Sequence, residues 1–149
     1  METGDWGHDL FVRLDPGEEI HQSIQEIFEN SVHSSGAITS GIGRINNVDV
    51  GYLDANGIYQ RKIVAGPVEL LSVQGNIALL DEKQFTHIHI VFSDDDHQVH
   101  GGHLFSATVE VTAEIHIRSL PTNDILDITM KRCHIVGSDF KPLSFERSG

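Results

Sequence analysis

Cysteine is nearly absent from this chain. Cys133 stands alone in 149 residues. An internal disulfide is therefore excluded, and a reducing, cytoplasmic compartment is expected. Cys133 has no C-x-x-C partner and falls near the end of a predicted strand, where it reads as a small core or rim residue. Basic residues are also scarce. Ten Lys and Arg face 22 Asp and Glu, for a formal net charge of −12. Such a chain repels phosphate backbones unless a local basic patch overrides the field. The only adjacent basic pairs are Arg61-Lys62 and Lys131-Arg132, both read as solvated strand ends, so tight direct binding of nucleic acid is not expected. No apolar run approaches the roughly 18 residues of a membrane span. The first residues carry neither a basic n-region nor an apolar h-region, so no secretory leader is expected. Repeats, low-complexity tracts and linkers are missing too, and the length fits one domain with one core.

What the chain does contain is alternation. Leu10, Val12 and Leu14 mark a first strand over 9–14, after a flexible terminus of residues 1–8. Asp15-Pro16-Gly17-Glu18 has capping-box spacing, with Asp15 as N-cap and Pro16 at the first helical position. The stripe Ile20, Ile24, Ile27, Phe28 follows at helical spacing, and Gly36 reads as the terminator. Strands are predicted over 37–42, 47–53, 58–64, 68–80, 85–93, 108–120 and 125–133. Asp54-Ala55-Asn56-Gly57 forms a hairpin turn and Pro121-Thr122-Asn123-Asp124 another turn. In the strand over 108–120, Val109, Val111, Ala113, Ile115 and Ile117 face inward. Gly41-Ile42-Gly43 lacks the third glycine of a dinucleotide fingerprint and reads as a bend or bulge. The pattern gives an α+β fold: a single domain with a largely antiparallel, mixed β-sheet of about seven strands and one main helix. The domain spans 9–136, and 137–149 form an irregular tail.

The chemistry-bearing stretch is His87-Ile88-His89-Ile90-Val91-Phe92 and the turn that ends in Gly101-Gly102-His103. Ile88, Ile90 and Phe92 share one strand face, and His87 and His89 share the other. Residues two apart on a strand lie roughly 6–7 Å apart, and a metal bonding ring nitrogens at about 2.0–2.1 Å can sit between them. Two glycines allow close backbone approach and so can return His103 to the same point. Three neutral imidazoles suit zinc, with a fourth position open to water or substrate. The alternative, a polar strand face in a chain with ten His, stays open at this stage. His97 and His100 read as solvated turn residues, and Asp94-Asp95-Asp96 as a solvated turn rather than a calcium loop.

Pro67 to Asn76 (PVELLSVQGN), His87-Ile88-His89 and Gly101-Gly102-His103-Leu104, in that order and spacing, resemble the plant and prokaryote conserved (PPC) domain of the stand-alone prokaryotic type. The resemblance covers about residues 9–133, including the helix and Gly51-Tyr52-Leu53-Asp54. It implies an α+β fold, a homotrimer, and a zinc site at His87, His89 and His103 as in some prokaryotic members. The fold group is similar to acetolactate decarboxylase, a zinc lyase using three His, and Glu69 is then the matching carboxylate near the metal, in a catalytic role. The chain lacks the Arg-Gly-Arg-Pro AT-hook that grips DNA in the plant proteins. Its Asp94-Asp95-Asp96-His97 turn replaces an expected Asp-Gly and is a little longer. Two functions follow from the resemblance: a zinc-binding oligomeric regulatory or binding module, DNA-associated in the family, with protein or small-molecule partners; or a zinc-dependent lyase or hydrolase acting on a small carboxylate or ester. A purely structural zinc is a third. The sequence shows no nucleophile elbow and no cofactor fingerprint, so any reaction would depend on the metal.

Overall fold

The alternation over 108–120 belongs to a far longer strand, and that strand organises the molecule. The structure, a computed structural model, describes residues 1–120 and 128–147. The elements run β1 (Glu2–Trp6), β2 (Asp9–Leu14), α1 (Ile20–Glu29), β3 (Ser35–Leu53), β4 (Tyr59–Val64), β5 (Val68–Leu80), β6 (Lys83–Ser93), β7 (Val99–Leu120), β8 (Ile128–Arg132) and β9 (Leu143–Arg147). The fold is therefore mostly β, with one short helix. β3 pairs with both β5 and β7, and β6 also pairs with both, all antiparallel. These four strands close a ring of ladders, and that closure leaves no free edge between them. β2 extends the sheet beyond β7, β4 pairs with β3, and β8 meets β5 through one parallel bridge.

The sheet wraps one core. Val109, Ala113, Ile115 and Ile117 of β7 pack with Ile88, Ile90 and Phe92 of β6, with Val73 and Ile77 of β5, and with Ile45 and Val48 of β3. α1 closes it with Ile20, Ile24 and Phe28, all buried. Each such side chain contributes about 1.5–3 kcal/mol on leaving water.

Several boundaries differ from expectation for physical reasons. α1 starts at Ile20, not after Asp15. Its N-cap is Glu19, whose carboxylate accepts the Gln22 N–H at 2.7 Å. The Asp15–Glu18 box does form, with the Asp15 N–H donating to Glu18 Oε2 at 2.7 Å, but it closes a turn. The backbone there is already committed to β7: the Gly17 N–H donates to Val109 O, and Glu18 O accepts from the Val109 N–H, both at 2.9 Å. Gly36 does not end the helix. It lies in β3, where a Cβ would come within 3.0 Å of the Phe28 ring and of Arg118 O.

The strands over 37–42 and 47–53 are one strand, β3, with register shifts against β7 on both sides of Gly41-Ile42-Gly43. Val111 is 56% exposed rather than inward, because the β3–β7 ladder steps from Thr112 to Val109. Glu2–Trp6, expected frayed, pair with β2, and the tail contains β9, which pairs with β8. The Asp54–Gly57 turn is present, its Asp54 carboxylate accepting from the Asn56 and Ile58 N–H groups. The predicted turn at Pro121–Asp124 and residues 125–127 of the last strand lie outside the described residues. No helix among the described residues is long and apolar enough to cross a membrane.

Candidate metal centre

β6 and β7 set the three histidines. His87 and His89 alternate onto one face of β6, while Ile88 and Ile90 are buried on the other. His103 is the direct cross-strand partner of His89, so its position follows from register alone. The glycines make the approach physical. A Cβ on Gly102 would come within 2.8 Å of Gly51 O, and one on Gly75 would run into the His87 carbonyl oxygen. β7 and β5 can therefore press against their neighbours only without side chains at these points.

One ligand atom from each of His87, His89 and His103 lies within 4.8 Å of the others. His87 Nε2 and His89 Nε2 are 3.2 Å apart, close to the edge of about 3.3 Å that a tetrahedral zinc with 2.0–2.1 Å bonds requires. The His103 ring stacks on Tyr59, with centroids 4.5 Å apart, and its Nδ1 lies 3.5 Å from the Tyr59 hydroxyl. An outer partner of this kind fixes a ligand ring. Burial is the first cause that holds these rings neutral. His87 is lowered to about 4 and His103 to about 3, with smaller contributions from neighbouring imidazoles and from Arg132. Burial also lowers His89. Neutral imidazole is the metal-binding form, so the three residues fit a metal ion by number, spacing and protonation.

A cavity of about 480 Å³ opens beside the cluster, with His87 and His103 in its wall. α1, β4, β6, β7, β8 and the segment at 139–141 all reach it. His21 of α1 is held between Thr86 Oγ1 at 2.6 Å and Leu104 O at 3.0 Å. Its Nε2–H donates to the carbonyl, Nδ1 accepts from the hydroxyl, and burial lowers its pKa. Gln25 donates to the same Thr86 hydroxyl, so α1 is tied to β6 at the position next to His87.

Glu69 is not brought to this site. Its cross-strand partner is Ser93, four residues beyond His89, or about 13 Å along the strand. Its carboxylate pairs with Arg44 at 2.6 Å. His97 lies in the turn with φ 59°, and His100 pairs with Asp94 at 2.8 Å; neither joins the cluster. The Asp94 carboxylate also accepts from the Asp96 and Gln98 N–H groups, which closes the acidic turn.

Sequence reasoning did not find His21, Tyr59, Phe105 or Arg132. His21 and Gln25 flank the apolar stripe of α1 at i, i+4 spacing, which was a readable signal. The Lys131-Arg132 pair splits. Lys131 bridges Glu82 and Glu146, whereas Arg132 is 7% exposed.

Residues 1–121 match the family model of the Plants and Prokaryotes Conserved (PCC) domain. Among solved structures, the chain is similar to the metal-containing protein of Archaeoglobus fulgidus, at 30% identity over 95% of this chain and 94% of that one, TM-score 0.78. It is similar to the plant- and prokaryote-conserved (PPC) protein of Pyrococcus horikoshii at 27% identity over 91% and 88%, TM-score 0.77. A candidate DNA-binding protein of Bacteroides thetaiotaomicron shares 21% identity over 98% of each chain, TM-score 0.84, a likeness that shows the fold alone. No curated protein matches the chain.

Proposed function

Because the chain belongs to the Plants and Prokaryotes Conserved domain family, we propose that it is a zinc-binding oligomeric module of that family, with one zinc per chain held by His87, His89 and His103. The observation that carries this reading is the three-histidine cluster itself. The metal-containing Archaeoglobus relative supports it. Three neutral nitrogens and borderline-soft chemistry suit zinc, and three protein ligands leave a fourth position for water or a small ligand. When bound, such an ion supplies Lewis acidity and lowers the pKa of attached water. The chain's own residues hold the ion, neutralise nothing of its charge, and border the cavity on one side. Glu69 lies away from this point, so acid–base chemistry through it is not part of the reading.

A homotrimer fits the exposed apolar side chains Ile42, Leu71, Val91 and Val111, which occupy neighbouring strands β3, β5, β6 and β7 and would be covered by another copy. The net charge of −12 argues for protein or small-molecule partners rather than direct DNA contact, and lone Cys133, free and exposed, fits a reducing cytoplasm. Cobalt(II) loaded in place of zinc tests the coordination. An intense visible spectrum of a four-coordinate site is expected at one equivalent per chain, and the weak spectrum of a six-coordinate, mostly aqueous ion would count against it.

A further inference from the structure

We propose that the cavity beside the three histidines binds a small organic monocarboxylate, with the Arg132 guanidinium as its anchor. The inference rests on the metal reading only for the added positive charge that a bound zinc would supply. Arg132 lines the cavity with only 7% of its surface exposed. Its two NH groups donate to neutral acceptors, Lys141 O and Asn76 Oδ1, each at 2.5 Å. Its Nε is buried and has no hydrogen-bond partner among the described residues, and no carboxylate among them pairs with it. A buried charge without a counter-charge is costly. A ligand that brings the missing negative charge removes that cost, and a guanidinium is the side chain best suited to a carboxylate.

The rest of the wall agrees in sign. Lys141 donates to the Asp139 backbone oxygen at 3.4 Å and lies over the Phe85 ring at 5.9 Å, and no carboxylate among the described residues pairs with it. Arg61 is already paired with Asp49. Asp139 is the one acidic residue among the lining residues, and its Oδ2 accepts the Tyr59 N–H at 3.2 Å. Counting Arg132 and Lys141 against Asp139, the wall carries one surplus positive charge before any metal, in a chain of net charge −12. Phe85, Phe105, Phe140, Tyr59 and Leu104 supply carbon surface to the wall. An inorganic anion would leave these carbon surfaces wet, whereas the body of an organic acid covers them. The volume of about 480 Å³ lies within the range of small-molecule sites, roughly 300–1,000 Å³. Zinc at His87 and His103, in the same wall, would add further positive charge to the cavity.

Calorimetric titration with benzoate, on zinc-free and zinc-loaded protein, tests this. Benzoate is expected to bind both forms and the loaded form more tightly, while benzamide, its neutral isostere, binds roughly tenfold or more weakly. Arg132→Met should lose benzoate by a similar factor and still take up one zinc, and Arg132→Lys should fall between. Benzamide binding as tightly as benzoate would overturn the proposal without any variant, as would undiminished binding by a folded Arg132→Met chain. Inorganic phosphate displacing benzoate at equal concentration would remove the organic class. If zinc fails to load while benzoate still binds through Arg132, the metal reading falls and this one stands. If zinc loads at one per chain and benzoate does not bind, the reverse holds.

Discussion

His103 shows how much a single position decides. It faces His89 by register, its ring is stacked on Tyr59, and its Nδ1 is turned to the Tyr59 hydroxyl. His97 and His100 have no such placement, the one in a turn and the other paired with Asp94. His103→Ala should therefore cut zinc affinity by at least the 10–100-fold typical of damage to a ligand shell, while His97→Ala and His100→Ala leave it near the unmutated value. Competition against a metal-chelating dye measures all three, and loss of zinc in either of the latter two would assign the site to the wrong residue.

The same rings set a pH response. Folded-state values of about 4 for His87 and about 3 for His103 lie below the ordinary 6.5. Below about pH 6.5 the unfolded chain takes up protons that the folded chain refuses, so the stability these groups contribute is full above 6.5. It declines as pH falls through 6.5 toward 4 and 3. Denaturant midpoints of the metal-free chain should fall from pH 7 to pH 5, less so in His103→Ala. A flat profile would contradict neutral, desolvated rings. At this scale the sequence was legible where spacing carried the signal, in H-x-H and G-G-H. It was silent where residues distant in the chain meet, as Tyr59, Phe105 and Arg132 do. Glu69 was misplaced because motif order says nothing of distance along a strand, and its charge had a nearer partner in Arg44.

Among the elements, β6 separates packing from ligation most cleanly. Ile88 lies between His87 and His89, the two candidate ligands, and is fully buried in the core. Ile88→Ala should cost roughly 2–5 kcal/mol through the cavity it leaves, with zinc stoichiometry unchanged in the folded fraction. Urea unfolding with parallel metal analysis reads both; loss of zinc without loss of stability would invert the assignment of faces. The faces of β6 were readable because period-2 alternation and burial agree there. The start of α1 was not, since Asp15–Glu18 has capping chemistry and only the tertiary pairing of Gly17 and Glu18 with Val109 shows that it closes a turn. Val111 failed for a related reason: a register step in β7 reverses its face, and periodicity cannot show a bulge whose cause is the partner strand.

At the scale of the whole molecule, a ring of four ladders carries the three-histidine cluster at the β6–β7 seam, with the cavity under α1. Its apolar outer positions, Ile42, Leu71, Val91 and Val111, lead to the expectation of a light-scattering mass of three chains at micromolar concentration, and a monomer mass would remove the trimer. The excess of acid over base, 22 against 10, leads to weak duplex binding that moderate salt abolishes; a nanomolar gel shift at physiological salt would contradict it. The central claim, that three histidines from β6 and β7 hold a metal, has the most direct test. Metal content of the unmutated chain is measured by mass spectrometry after gentle purification and mild chelation. About one zinc per chain is predicted, retained below the ordinary imidazole value of about 6.5 and lost as the solution is acidified toward the values of about 4 and about 3 at which His87 and His103 take up protons. A chain that purifies without metal and takes up none on zinc addition would contradict it, and the three rings would then be a polar strand face.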